Sequence, residues 1–145
     1  MCCYTFSMPY QNKPIVLTTG TFDLIHPGHV ALLNELREAF PEHELVVGVN
    51  GDRRARELKD VVLFTSEERA AIVGALKPVD RVVVFEEDNP TWLIRQLMPA
   101  VFAKGPDWKY KQIPEMDACR AVGCMVVFVG TKTHNSSDIK KGVTC

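Results

Sequence analysis

Gly20-Thr21-Phe22-Asp23-Leu24-Ile25-His26-Pro27-Gly28-His29 is the stretch whose reading decides the fold of this chain. The residues before it, Ile15 to Thr19, form a β-branched apolar run of the kind found in buried parallel strands. After it, Val30, Leu33, Leu36 and Phe40 recur at helical spacing. The stretch is therefore a strand-to-helix turn. A helix start leaves backbone N–H groups unpaired and carries partial positive charge, so this turn suits an anion, phosphate above all. Gly20 lets the chain leave the strand with little steric restriction, and Gly28, lacking a Cβ, lets a ligand approach the first helical turn. His26 and His29 fall on one side of such a turn, where two imidazoles can donate to phosphate oxygens at neutral pH.

Other chemistries fit less well. An isolated histidine near a helix start is ordinarily a cap or a partly buried polar group, but a pair flanking a glycine after Gly-Thr-Phe-Asp points to a ligand. His-x-x-His lacks the further ligands a zinc site needs. The Gly-x-Gly-x-x-Gly turn of an NAD-type oxidoreductase is absent.

Working outward, the 145 residues suit one compact domain, expected over residues 14–145 behind a flexible N-terminal segment, 1–13. A net charge of −1 argues against a general nucleic-acid or membrane-surface binder, either of which needs a basic excess. The five cysteines are odd in number and contain no Cys-x-x-Cys pair, so neither a disulfide framework nor a zinc site is indicated and a reducing cytosol is the simpler home. Met1 to Ser7 lacks a charged start and a long apolar core, and no later run approaches ~20 apolar residues. The expectation is a soluble cytoplasmic protein with no membrane or nucleic-acid partner.

Glu44 to Val49 reads as a second buried strand, which makes a strand–helix–strand crossover unit. Arg53, Arg54, Arg56 and Lys59 then follow, either as a solvated charged face or as a basic cluster at the ligand-binding carboxyl end of the second strand. Thr65 and Glu68 form a capping box for a helix to about Leu76, with Ala71, Ile72, Ala75 and Leu76 as its buried side. Arg81 to Phe85 is a third strand, Pro90 opens a short helix over Trp92 to Met98, and Ala100 to Ala103 is a fourth strand. That strand runs into Lys104-Gly105-Pro106-Asp107-Trp108-Lys109. In this turn a carboxylate can accept from ribose hydroxyls and Trp108 offers a stacking face, unless the tryptophan only covers the core. Ile113 to Val122 is a helix and Met125 to Val129 a fifth strand. Five strands alternating with helices make a doubly wound parallel sheet. The hydroxyl and amide groups from Thr131 to Ser137 either cap a last short helix or bind phosphate.

Gly-Thr-Phe-Asp-x-x-His-x-Gly-His resembles the signature of the cytidylyltransferase-like nucleotidyltransferases, and the likeness extends from about Ile15 to Lys141. It is nearest to bacterial heptose-1-phosphate adenylyltransferase domains, through Phe85-Glu86-Glu87-Asp88-Asn89-Pro90, Lys104-Gly105-x-Asp107 and Ser136-Ser137-x-Ile139-x-Lys141. Glycerol-3-phosphate cytidylyltransferases share the turn but fit the middle less well. The resemblance implies a single Rossmann-like domain that transfers AMP or CMP from a nucleoside triphosphate to a phosphorylated small-molecule acceptor, a sugar or polyol phosphate, releasing pyrophosphate. It also implies Mg²⁺ on the nucleotide phosphates, no protein-held metal, and a homodimer. By the same resemblance His26, His29 and Lys59 are catalytic. Gly20, Thr21, Phe22, Gly28, Lys104, Gly105, Asp107, Trp108, Thr131, Asn135, Ser136 and Ser137 line the nucleotide. Asp23 either orients the turn or accepts from the acceptor's hydroxyls, and is placed with the acceptor. The chain differs from the heptose group where Val61-Val62-Leu63-Phe64 replaces an Arg-Pro pair, and where Asn135-Ser136-Ser137 replaces Ser-Thr-Thr. These differences motivate a second reading, a nucleotide-binding module without turnover.

Overall fold

A computed structural model of the chain describes residues 13–130. The segment 1–12 and the expected nucleotide ligands Thr131, Asn135, Ser136 and Ser137 lie outside the described residues. The elements run β1 (Ile15–Gly20), α1 (Pro27–Ala39), β2 (Glu44–Asn50), α2 (Asp52–Leu58), α3 (Ser66–Gly74), β3 (Arg81–Phe85), α4 (Thr91–Leu97), β4 (Val101–Lys104), a 3-10 turn (Pro106–Trp108), α5 (Met116–Val122) and β5 (Met125–Phe128). All five strands are parallel, in the order β3-β2-β1-β4-β5.

Side chains alternate across a strand, so one apolar run feeds two cores. Val16, Leu45, Val47, Val49, Val101 and Ala103 meet Leu33 and Leu36 of α1 and Val73 of α3. Leu17, Val46 and Phe102 face the other way, onto Leu93 and Ile94 of α4 and Ala118 and Cys119 of α5. The helix that follows β1 thus covers one face and the helix that follows β4 covers the other. Because β1 and β4 are neighbours, their carboxyl ends flank the crevice where doubly wound sheets hold ligands. Thr18 Oγ1 ties them below the crevice by donating to the Ala103 carbonyl at 3.1 Å.

Three expectations change. The basic run after β2 is a helix, α2, that buries only Ala55 and caps at Lys59. Its ladder is supported by an Arg53–Glu57 ion pair at 2.8 Å, while Arg53 also reaches Asp88 beyond β3 at 2.7 Å. The helix after Thr65 starts as expected, with Thr65 accepting from the Glu68 N–H at 3.2 Å, but it buries Arg69, Ala70 and Val73. Ala71, Ile72 and Ala75 are exposed. The phase is set by which turn must meet the ends of β1 and β2, and that turn carries Arg69. Helix α5 begins at Met116, not Ile113, because Ile113 is buried from a turn that Pro114 keeps out of the helix.

Candidate active site

The turn leaves β1 through a strained residue. Phe22 has φ 51°, a left-handed conformation that costs a bulky residue about 1–3 kcal/mol. Its ring folds back over Gly20, where a Cβ would lie 3.0 Å from Cε2, so glycine is needed at that position to seat the ring.

Surrounding bonds hold this geometry. The Thr21 carbonyl accepts from Arg69 Nη1 at 2.8 Å, and the Thr21 hydroxyl accepts from Asn50 Nδ2 at 3.3 Å. Asp23, placed with the acceptor from sequence, is buried here. Its carboxylate accepts from the Leu63 N–H at 2.8 Å and the Phe64 N–H at 2.9 Å, so it fastens the loop after Lys59 beneath the turn. Of the two roles left open for Asp23, this geometry carries the orienting one.

Sequence reading missed Arg69. Its side chain exposes 0 % of its surface. The guanidinium donates to the carbonyls of Thr21, Asn50 and Phe64 at 2.8, 2.8 and 3.0 Å and pairs with Asp52 at 3.1 Å. One planar fork thereby joins the ends of β1 and β2 to the loop before α3. The only hint was an arginine three residues into a helix beyond its cap, which reads as solvated.

The two histidines close a reciprocal cap on α1. His26 Nδ1 accepts from the Gly28 N–H at 3.1 Å, and His29 Nδ1 accepts from the His26 N–H at 3.4 Å. Pro27 contributes no donor, and the His29 N–H bonds the His26 carbonyl at 3.0 Å. The first-turn amides expected to meet phosphate are therefore largely satisfied within the helix. Because each Nδ1 is an acceptor, each neutral ring carries its proton on Nε2. The rings stack with centroids 3.8 Å apart, and Phe22 packs against His29 at 5.1 Å. Burial, then His26, then Lys59 lower the pKa of His29 from 6.5 to about 4. At neutral pH His29 is an uncharged donor, and Lys59 is near enough to act on it electrostatically. An open groove of about 580 Å³ lined by Ile25, Pro27, Val30, Ala31 and Asn34 borders the turn through His26.

Across the crevice, Lys104 ends β4 with its Nζ 3.3 Å from Glu115 Oε2 and 3.8 Å from the centre of the Trp108 ring. A second cation, Lys111, lies 5.6 Å from that ring. Trp108 is half-buried, whereas Asp107 is exposed. Gly105 has an ordinary φ of −66°, and no described residue lies within 4 Å of where a Cβ would be, so neither conformation nor packing against the described residues demands a glycine there. Among the described residues no cluster of three or more His, Cys, Asp or Glu is placed to hold a metal.

The family profile described as Cytidylyltransferase-like matches residues 17–140. The chain is 42 % identical over 121 residues to bifunctional protein HldE of Gluconobacter oxydans, covering 82 % of this chain and 25 % of that protein. The corresponding match in Geobacter sulfurreducens is also 42 % identical, over 82 % of this chain and 24 % of the relative. The chain thus spans about a quarter of the length of the curated relatives it matches. Among solved structures, a lipopolysaccharide core biosynthesis protein from Thermoplasma volcanium superposes with a TM-score of 0.67 at 29 % identity, over 80 % of this chain and 93 % of that one. A pantothenate synthetase from Thermus thermophilus, at 14 % identity and a TM-score of 0.54 over 91 % of this chain and 65 % of that one, shares the fold. The crevice between β1 and β4, the paired histidines and the family match lead to one conclusion: this chain belongs to the cytidylyltransferase-like family of nucleotidyltransferases.

Proposed function

We propose that this domain transfers AMP from ATP to a sugar phosphate, as the resemblance to heptose-1-phosphate adenylyltransferase domains implies, and releases pyrophosphate. The observation that carries the reading is the pair of stacked imidazoles at the start of α1 whose Nδ1 atoms both accept from backbone N–H groups. An acceptor phosphate oxygen attacks the α-phosphorus in line, a new O–P bond forms, and the bond to the bridging oxygen of pyrophosphate breaks. Charge grows on the α-phosphate oxygens and on the departing pyrophosphate. The neutral Nε2–H of His29 and the imidazole of His26 stabilise it as donors, and the Lys59 ammonium adds a full positive charge. The acceptor phosphate is already anionic at pH 7, so the step needs no strong base and no covalent enzyme intermediate.

Mg²⁺ enters on this reading with the nucleotide. It prefers phosphate oxygens and water, and the Asp23 carboxylate is already engaged by two backbone N–H groups. Trp108 supplies the stacking face for the base. Transfer of CMP from CTP to glycerol 3-phosphate is the alternative within the same chemistry. Binding without turnover is favoured by one feature, the apolar Val61-Val62-Leu63-Phe64 where an Arg-Pro pair is the heptose pattern.

Pyrophosphate release is to be measured with ATP and CTP against a panel of sugar 1-phosphates and polyol phosphates. Release that requires both ATP and a sugar 1-phosphate supports the proposal. CTP with glycerol 3-phosphate moves the substrate assignment, and nucleotide binding by calorimetry with no release from any acceptor overturns turnover.

A further inference from the structure

Glu115 is a carboxylate with 4 % of its side chain exposed, lying just before α5, and the sequence gives no reason for it. Burying a carboxylate is costly unless it is paired and hydrogen-bonded. Among the described residues Glu115 has one charged contact, Lys104 Nζ at 3.3 Å, and its Oε2 makes no aligned hydrogen bond. Such a pair is a poor stabiliser, because apolar side chains of similar volume would serve the packing at least as well. What it does achieve is placement. Lys104 leaves β4 as the last residue of the strand, with four flexible side-chain bonds and only 10 % of its side chain exposed. Anchored on Glu115, its ammonium rests 3.8 Å from the centre of the Trp108 ring, a cation–π distance. At the neighbouring Gly105 no described residue lies within 4 Å of where a Cβ would be.

We infer that Glu115 is a positioning residue for the nucleotide half of the site: its buried carboxylate holds the Lys104 ammonium against Trp108, at the carboxyl end of β4. The inference rests on the nucleotidyl-transfer reading above. With Lys104 pinned, the positive charge needs no reorganisation when a triphosphate arrives, and the indole is held for a base on its remaining face. Glu115 stays at least one residue removed from the ligand, so its loss weakens nucleotide binding and leaves the chemical step alone.

The test uses the full chain. Glu115→Gln, shown to be folded by circular dichroism, should raise the dissociation constant for ATP, or for CTP if that is the nucleotide bound, by about tenfold, the scale of one charged contact. The maximal rate of pyrophosphate release and the KM for the acceptor should stay within about twofold. Lys104→Met should raise the same dissociation constant by at least as much, and the double variant Glu115→Gln/Lys104→Met should bind no more weakly than Lys104→Met alone, the non-additivity of groups that act as one unit. In a Trp92→Phe background, Trp108 emission should shift in Glu115→Gln without any ligand, because the cation leaves the ring. Unchanged nucleotide affinity, additive losses in the double variant, or an unshifted Trp108 spectrum each overturn the inference. If Glu115→Gln does not fold, the emission and affinity of Lys104→Met decide alone, with the same two outcomes. Wild-type protein that binds neither nucleotide removes the transfer reading and this inference together, whereas wild-type binding with an unaffected Glu115→Gln removes only the inference.

Discussion

The two walls of the crevice are built differently. The β1 wall is over-determined: Phe22 sits at a left-handed φ, four Arg69 contacts and the Asp23 carboxylate hold the backbone around it, and the histidines cap each other's helix turn. The β4 wall is a short 3-10 turn at the edge of solvent, where the described residues supply one buried ion pair and two cations by the Trp108 ring. A strained backbone persists only where its surroundings over-determine it, and donors aimed at developing charge work best when they need not move. The β1 wall has the build of a reaction site, and the β4 wall that of a recognition surface that alters by substitution without disturbing the chemistry.

His29→Ala cuts deepest if that division holds. Turnover measured by pyrophosphate release should fall by about 10²-fold or more, the range for a single oxyanion-type donor, while stability drops by no more than about 1 kcal/mol for the lost cap. Wild-type turnover in the purified variant breaks the comparison on its catalytic side. Arg69→Met tests the support beneath. It leaves three carbonyls without their donor and removes the cation from Asp52, whose carboxylate keeps the Ser66 N–H, and denaturant unfolding should show a loss of about 3 kcal/mol with a lower rate in whatever remains folded. A loss below about 1 kcal/mol would show that the turn keeps its shape without the guanidinium. On the other wall, Trp108→Ala should raise the nucleotide KM about tenfold, as loss of one stacking face does, with the maximal rate nearly unchanged. An equal fall in rate with unchanged KM would move Trp108 into the reaction site.

The same contrast explains what could be read from sequence. All five strands were legible because short apolar runs, most of them rich in Val, between turn residues permit little else, and the strand-to-helix turn was legible because its glycines and histidines have few other uses. The buried face of α3 was misjudged because Ala71 and Ile72 are the more apolar pair, yet the helix turns so that Arg69 enters the core, and a buried charge leaves no periodic trace. Helix α2 was hidden in a charge run since only Ala55 packs inward. The contacts of Asp23 and Glu115 were not legible because their partners, Leu63 and Phe64 for the one and Lys104 for the other, lie across a turn or a helix and meet them only in the fold.

That the turn after β1 holds His29 as a neutral imidazole whose orientation its own backbone fixes is checked by NMR titration of His29 in the free protein. A folded-state pKa below the ordinary value means that the unfolded chain takes up the proton first, so stability falls as pH drops from about 6.5 to about 4 and is flat with respect to this group above and below that window. The account predicts a His29 midpoint at about 4 with the proton on Nε2 at neutral pH. A midpoint near 6.5, or a proton on Nδ1, would contradict it.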